Sequence, residues 1–187
     1  KYETPPKFEG TNFTVLFRGK FNPEAGMSTL AAATKILEEE PITFWIFSPG
    51  LPSGLEFSSR SFISREFISK SQIATLQNES NLTLGQLANH PRLERTIPHK
   101  AFESGFLGSP YLTARTGGIL ELFREDTEIA CFEPGSAEDL AIKILNLMNS
   151  KKVLEKLSYN MVLTYQAVSA QEVLSKKFIS IMRESFD

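Results

Sequence analysis

The side chains that could do chemistry here are few in kind: Lys20, Lys100 and Glu103, joined by backbone amides that Gly19 and the pair Gly117 and Gly118 leave uncovered. Lys20 follows an apolar run and a glycine, in a loop that opens towards a helix-like segment. Lys100 and Glu103 stand three residues apart just after Pro98, so in a helix they project from one side. Phe102 and Phe106 project from the opposite side and are expected to anchor that helix in a core. A lysine in a first helical turn opposes the helix dipole, a mildly unfavourable arrangement unless an anion is bound there. The chemistry this pattern suits is capture of an anionic ligand. The plainer reading is an ion pair between Lys100 and Glu103 at i, i+3, with Lys20 simply solvated. Gly117 and Gly118 let amides approach a phosphate, or form a tight turn that opens a helix, and both can hold at once.

Elements that would position these residues can be read from the apolar pattern. The runs FTVLF (13–17) and ITFWIF (42–47) are nearly continuous, as in parallel strands buried on both faces. Between them Met27, Leu30, Ala31, Thr34 and Leu37 recur at helical spacing. The Ser-rich stretch 51–65 is weakly patterned and reads as an irregular excursion before a short strand near 66–68. Ser69 or Ser71 then caps a helix carrying Ile73 and Leu76, and 81–84 forms the next strand. The stretch 97–123 reads as helix, strand, glycine turn and helix. A last strand follows at 129–132, and Ser136 with Asp139 opens a helix striped by Leu140, Ile144 and Leu147. Residues 151–187 contain neither glycine nor proline and read as helical. Alternating strands and helices predict an α/β, Rossmann-like, doubly wound and mostly parallel sheet of about six strands in the order 3-2-1-4-5-6, followed by a helical tail. Ligand is then expected beyond the carboxyl ends of the strands, the edge on which Lys20 and the Lys100 helix fall.

Composition narrows the function classes. A length of 187 residues with 41% hydrophobic and 22% charged residues suits one soluble domain, here 13–187, preceded by a polar, Pro-rich interdomain linker over 1–12. Net charge of −2, without a basic cluster longer than a lysine pair, offers no electrostatic footprint for nucleic acid. Cys131 is the lone cysteine, which points to a reducing compartment and the cytoplasm. No run reaches the roughly 20 apolar residues of a membrane span. His90 and His99 are too few and too isolated for a metal site.

The stretch 97–123, IPHKAFESGFLGSPYLTARTGGILELF, resembles the donor-binding signature of group 1 family retaining glycosyltransferases of the GT-B fold. There a helix carries a glutamate followed by a glycine and a proline, and a strand then leads to Gly-Gly and a further glutamate. The matching residues are Glu103, Gly108, Pro110, Gly117, Gly118 and Glu121. The resemblance implies one half of a GT-B enzyme, with an N-terminal Rossmann-like domain as its partner. It also implies a nucleotide diphosphate sugar as donor, no cofactor and no metal, and a role in polysaccharide biosynthesis.

Within that resemblance Gly19 and Lys20 match a glycine and basic residue at the donor diphosphate, and Glu103 matches the residue facing the nucleotide's ribose hydroxyls. The family's second basic position is Ala25 here, and the acidic residue eight positions before Glu103 is replaced by Arg95, with Glu94 beside it. The final helix would cross to the other half, so Val173, Leu174, Phe178 and Ile181 are expected to leave an apolar patch exposed. A non-catalytic Rossmann-like module and half of a nucleotide-sugar epimerase are the alternatives.

Overall fold

The computed structural model describes residue 5, residues 13–169 and residues 171–184. Of the linker expected over 1–12, all but residue 5 lies outside the described residues. The strands are β1 (Phe13–Arg18), β2 (Ile42–Phe47), β3 (Ser61–Ser64), β4 (Leu82–Leu84), β5 (Tyr111–Ala114) and β6 (Ala130–Phe132). All neighbouring pairs are parallel, and the order is β3-β2-β1-β4-β5-β6, as the alternation of elements predicts.

The central strands are buried on both faces, which is why their sequences run apolar without a break. Phe13, Val15 and Phe17 of β1 join one core cluster, while Leu16 turns to the other face beside Trp45. On the first face lie α1 (Met27–Ile36) and α5 (Ala137–Met148), contributing Leu30, Ala33, Leu140 and Ile144. On the second lie α2 (Lys70–Glu79), α3 (His99–Leu107) and α6 (Lys151–Val168), through Leu76, Ala101 and Met161. Each fully buried leucine or isoleucine contributes on the order of 1.5–3 kcal/mol relative to exposure.

Local rules account for the helix starts. Ser69 and Gln72 form a reciprocal capping box on α2, and the Ser136 hydroxyl accepts from the Asp139 amide at the start of α5. The α4 turn (Gly117–Leu120) follows β5.

Several expectations are corrected. The third strand is β3 at Ser61–Ser64, not near 66–68: its edge position leaves it half-exposed, so burial imposes no strong pattern on it. Phe106 does not enter a core; it is 68% exposed and meets the Tyr165 ring on α6 edge-on, with centroids 5.8 Å apart. Phe102 is half-buried against Phe123. The tail divides into α6 and α7 (Gln171–Glu184). Along α7 Val173 is half-buried, whereas Leu174, Phe178, Ile181 and Met182 are exposed, so apolar surface does remain uncovered on the described part of the tail. Among the described residues no helix is long and apolar enough to cross a membrane.

Candidate functional site

In this strand order the chain winds outward from β1 in one direction and from β4 in the other, so the crevice at their carboxyl ends is where an open parallel sheet offers a ligand site. A cavity of about 360 Å³ opens there. Its walls come from three places. Arg18, Gly19 and Lys20 end β1; Gln86 follows β4; Lys100 and Glu103 descend from α3. Glu24, Arg92 and the loop from Thr96 to Pro98 close the remaining side.

Lys100 sits at the base of this crevice. Its Nζ donates to the Gly85 carbonyl at 3.1 Å and the Gln86 Oε1 at 3.3 Å, and stands 4.1 Å over the Phe17 ring. The residue is only 8% exposed. Burial first, and then the like charge of Arg18, hold its pKa well below the ordinary lysine value. Gly19, at φ +156°, suits this approach, because a Cβ there would lie 3.1 Å from Lys100 Cε and Nζ and the lysine would have to give by a few tenths of an ångström.

Glu103 does not pair with Lys100. Its Oε2 forms an ion pair with the Arg18 Nη2, and both atoms are shielded from solvent. Arg92 pairs with Glu24 at 3.0 Å across the cavity rim. Among the described residues Lys20, exposed at the mouth, and Lys100, buried at the base, therefore have no carboxylate partner. The lining thus sets the basic residues Arg18, Lys20, Arg92 and Lys100 against the two carboxylates of Glu24 and Glu103.

The sequence-predicted residues separate into two groups. Gly19, Lys20, Lys100 and Glu103 meet in one cavity; Gly117 and Gly118 do not line it. The Gly117 amide donates to Glu94 Oε2 at 2.8 Å. Gly118 packs so closely under the Pro91–Arg95 3-10 helix that a Cβ would lie 2.5 Å from the Leu93 carbonyl oxygen. Of the positions that depart from the resembled pattern, Ala25 is buried in the core cluster, and Arg95 is exposed outside the cavity lining.

Sequence reasoning gave Arg18 no role. The signal available for it was strand alternation, which turns Arg18 to the face opposite Phe17 at the last position of β1. Cys131 is buried and its thiol is pushed up to about 12, chiefly by burial, so it is not a nucleophile at neutral pH. Among the described residues no group of three or more His, Cys, Asp or Glu is placed to hold a metal ion.

A doubly wound domain with a crevice at its switch point is an arrangement in which open parallel sheets place ligands, and comparison narrows the class. The chain belongs to the glycosyl transferase-like family, whose model matches residues 30–174. No curated protein matches it by sequence.

Among solved structures it resembles the C-terminal domain of a group 1 family glycosyl transferase, LpcC, from Francisella tularensis. That match has a TM-score of 0.68 at 13% identity and covers 84% of this chain and 86% of that one. Sucrose-phosphate synthase from Thermosynechococcus elongatus matches with a TM-score of 0.77 at 17% identity, over 96% of this chain and 47% of that one. Anabaena HepE in complex with UDP-glucose matches with a TM-score of 0.73 at 18% identity, over 93% and 49%. The chain thus has the fold of a GT-B C-terminal domain and spans about half the length of the last two proteins.

Proposed function

We propose that the crevice binds the nucleotide diphosphate sugar donor of a hexosyl transfer to an acceptor hydroxyl, and that this chain is the donor-binding half of the enzyme. The observation that carries the reading is the pair of lysines without carboxylate partners, Lys20 and Lys100, on the wall of a cavity at the switch point. An anion of two or more charges is the natural complement. In this reading the lysines stabilise the departing diphosphate, the transition-state charge that matters most in such a transfer, and do so without a metal. Glu103 accepts from the ribose hydroxyls. Gly19 keeps the backbone thin where the phosphates approach, and Gly117 and Gly118 shape the Pro91–Arg95 wall without touching the donor. The acceptor site belongs to an N-terminal Rossmann-like partner domain, so the chain by itself binds donor and transfers nothing. We assign the transfer to cytoplasmic polysaccharide assembly because the lone Cys131 suits a reducing compartment and the resemblance to group 1 family glycosyltransferases implies that role.

Calorimetric titration of the chain with UDP-, GDP- and ADP-sugars tests this. Glu103→Ala should weaken binding by about 1–3 kcal/mol through lost hydrogen bonds to an ionised acceptor. Lys20→Ala should weaken diphosphates more than the bare nucleosides, since only phosphate feels the lost charge. Binding unchanged by both substitutions would place the ligand elsewhere. A non-catalytic module is the second reading, favoured by Ala25 in the core, Arg95 outside the cavity and Glu94 occupying the Gly117 amide. No response to any nucleotide at millimolar concentration would make it the better one.

A further inference from the structure

The cavity contains two cations that the proposed donor contacts do not use, the exposed Arg92 of the rim and the buried Arg18. Arg18 is the last residue of β1, whose backbone pairs with β2 on one side and β4 on the other, so its Cα is fixed by the sheet. Its side chain is 12% exposed, and its ion pair runs to Glu103 of α3, far along the chain. Glu103 is different: its side chain is 44% exposed and lines the cavity, yet its Oε2 is shielded from solvent by the Arg18 contact. The exposed part of the carboxylate is therefore the side carrying Oε1. Lys100, one turn earlier on α3, lends no support, because its Nζ is directed to Gly85 and Gln86. Among the described residues Arg18 is the ionic partner that fixes where this carboxylate points.

We propose that Arg18 is a positioning residue: it holds Glu103 by one oxygen and presents the other, ionised and oriented, to the vicinal hydroxyls of a ribonucleoside. The proposal rests on the donor-site reading above and adds that recognition of the sugar hydroxyls is set from β1, through Glu103, by a side chain that does not touch the nucleotide. A free glutamate would lose conformational entropy on accepting those hydroxyls; one already tethered through a guanidinium loses much less. Arginine suits the task because its charge persists when partly buried and its planar donors constrain the carboxylate they hold.

The test compares UDP, GDP and ADP with their 2′,3′-dideoxy counterparts by calorimetry on wild type, Arg18→Met, Arg18→Lys and Glu103→Gln. Wild type should prefer the ribonucleotide of the base it binds. Arg18→Met should weaken that ribonucleotide by about tenfold, or 1.4 kcal/mol, and leave the dideoxy form within twofold, so the preference collapses. Arg18→Lys, which keeps a charge able to reach the carboxylate, should restore part of it. Adding Arg18→Met to Glu103→Gln should cost little more than Glu103→Gln alone, because both remove one interaction.

Equal loss for ribo and dideoxy forms would overturn the proposal in favour of a phosphate contact or a purely structural role. An intact preference in Arg18→Met would also overturn it, and if binding still depended on Glu103 the donor-site reading would stand. If wild type binds none of the nucleotides, both fall together. Should Arg18→Met fail to fold, the Arg18→Lys titration decides: a preference identical to wild type combined with full independence from Glu103→Gln would overturn it.

Discussion

Replacing Lys100 with methionine should alter how stability depends on pH. The ammonium is buried among neutral acceptors and the Phe17 ring, and the charge that acts on it most is the like charge of Arg18. Its folded pKa therefore lies well below that of the unfolded chain, where a lysine titrates near 10.4. Below the folded pKa both states carry the proton and the cost of burying the charge is fully present. Between the two pKa values the unfolded chain holds one more proton, so stability rises with pH by up to about 1.4 kcal/mol per unit.

Two other buried groups act in the opposite sense. Burial pushes the Cys131 thiol up to about 12 and raises the Tyr111 hydroxyl as well. The folded chain keeps those protons after the unfolded chain has lost them, near 8.5 and 10, and stability from these groups falls above those values. The wild-type profile alone is thus a sum of opposing slopes, and the difference between Lys100→Met and wild type isolates the lysine.

In urea melts at half-unit steps from pH 6 to pH 10, the stability of the variant relative to wild type should decline as pH rises, approaching about 1.4 kcal/mol per unit within the titration window. Parallel curves over the whole range would refute the reasoning, since they would mean that Lys100 titrates alike in both states. A bound diphosphate supplies the missing counter-charge, so binding to wild type within that window should take up a proton, and binding to the variant should not.

Three further outcomes test the packing. Gly26, at φ +66°, caps α1, and a Cβ there would lie 2.6 Å from the Ala88 nitrogen, so Gly26→Ala should cost about 2–4 kcal/mol in denaturant melts. Leu30 of α1 is fully buried under the sheet, and Leu30→Ala should cost about 2–5 kcal/mol by the same measurement. Glu94→Ala frees the Gly117 amide and should cost about 0.5–1.5 kcal/mol; donor affinity in calorimetry should not change if the two glycines only shape the wall.

Strand order and most helix starts were legible because burial on both faces forces continuous apolar runs and capping uses local residues, as at Ser69 and Ser136. Helix α3 misled for a reason that its neighbours explain. Its large residues, Phe102 and Phe106, advertise a core face, but the face that α3 buries is Lys100, Ala101, Ser104 and Gly105. Small residues are needed there because α6 lies so close that a Cβ on Gly105 would come within 2.9 Å of the Tyr165 Cβ. The face of the sheet beneath is itself partly polar, with Thr83, Tyr111 and Thr113, and the Gln77 amide reaches from α2 to the Ser104 hydroxyl. A period of apolar residues cannot reveal a helix whose buried stripe is small and polar.

The same geometry explains why the charges of the site were half-read. Lys100 and Glu103 share a side of α3, so their proximity suggests a local pair, yet they sit on a helix that descends into a crevice between two strand ends. There Lys100 meets the carbonyl after β4, and Glu103 meets the guanidinium ending β1. Partners so distant along the chain are set by sheet topology, and a local spacing rule has no access to them. Pairing Glu103 with Arg18 in this way is what leaves Lys100 without a carboxylate. Which cation is left for an anion, Lys100 rather than Arg18, therefore depends on strand order as much as on the lysine itself.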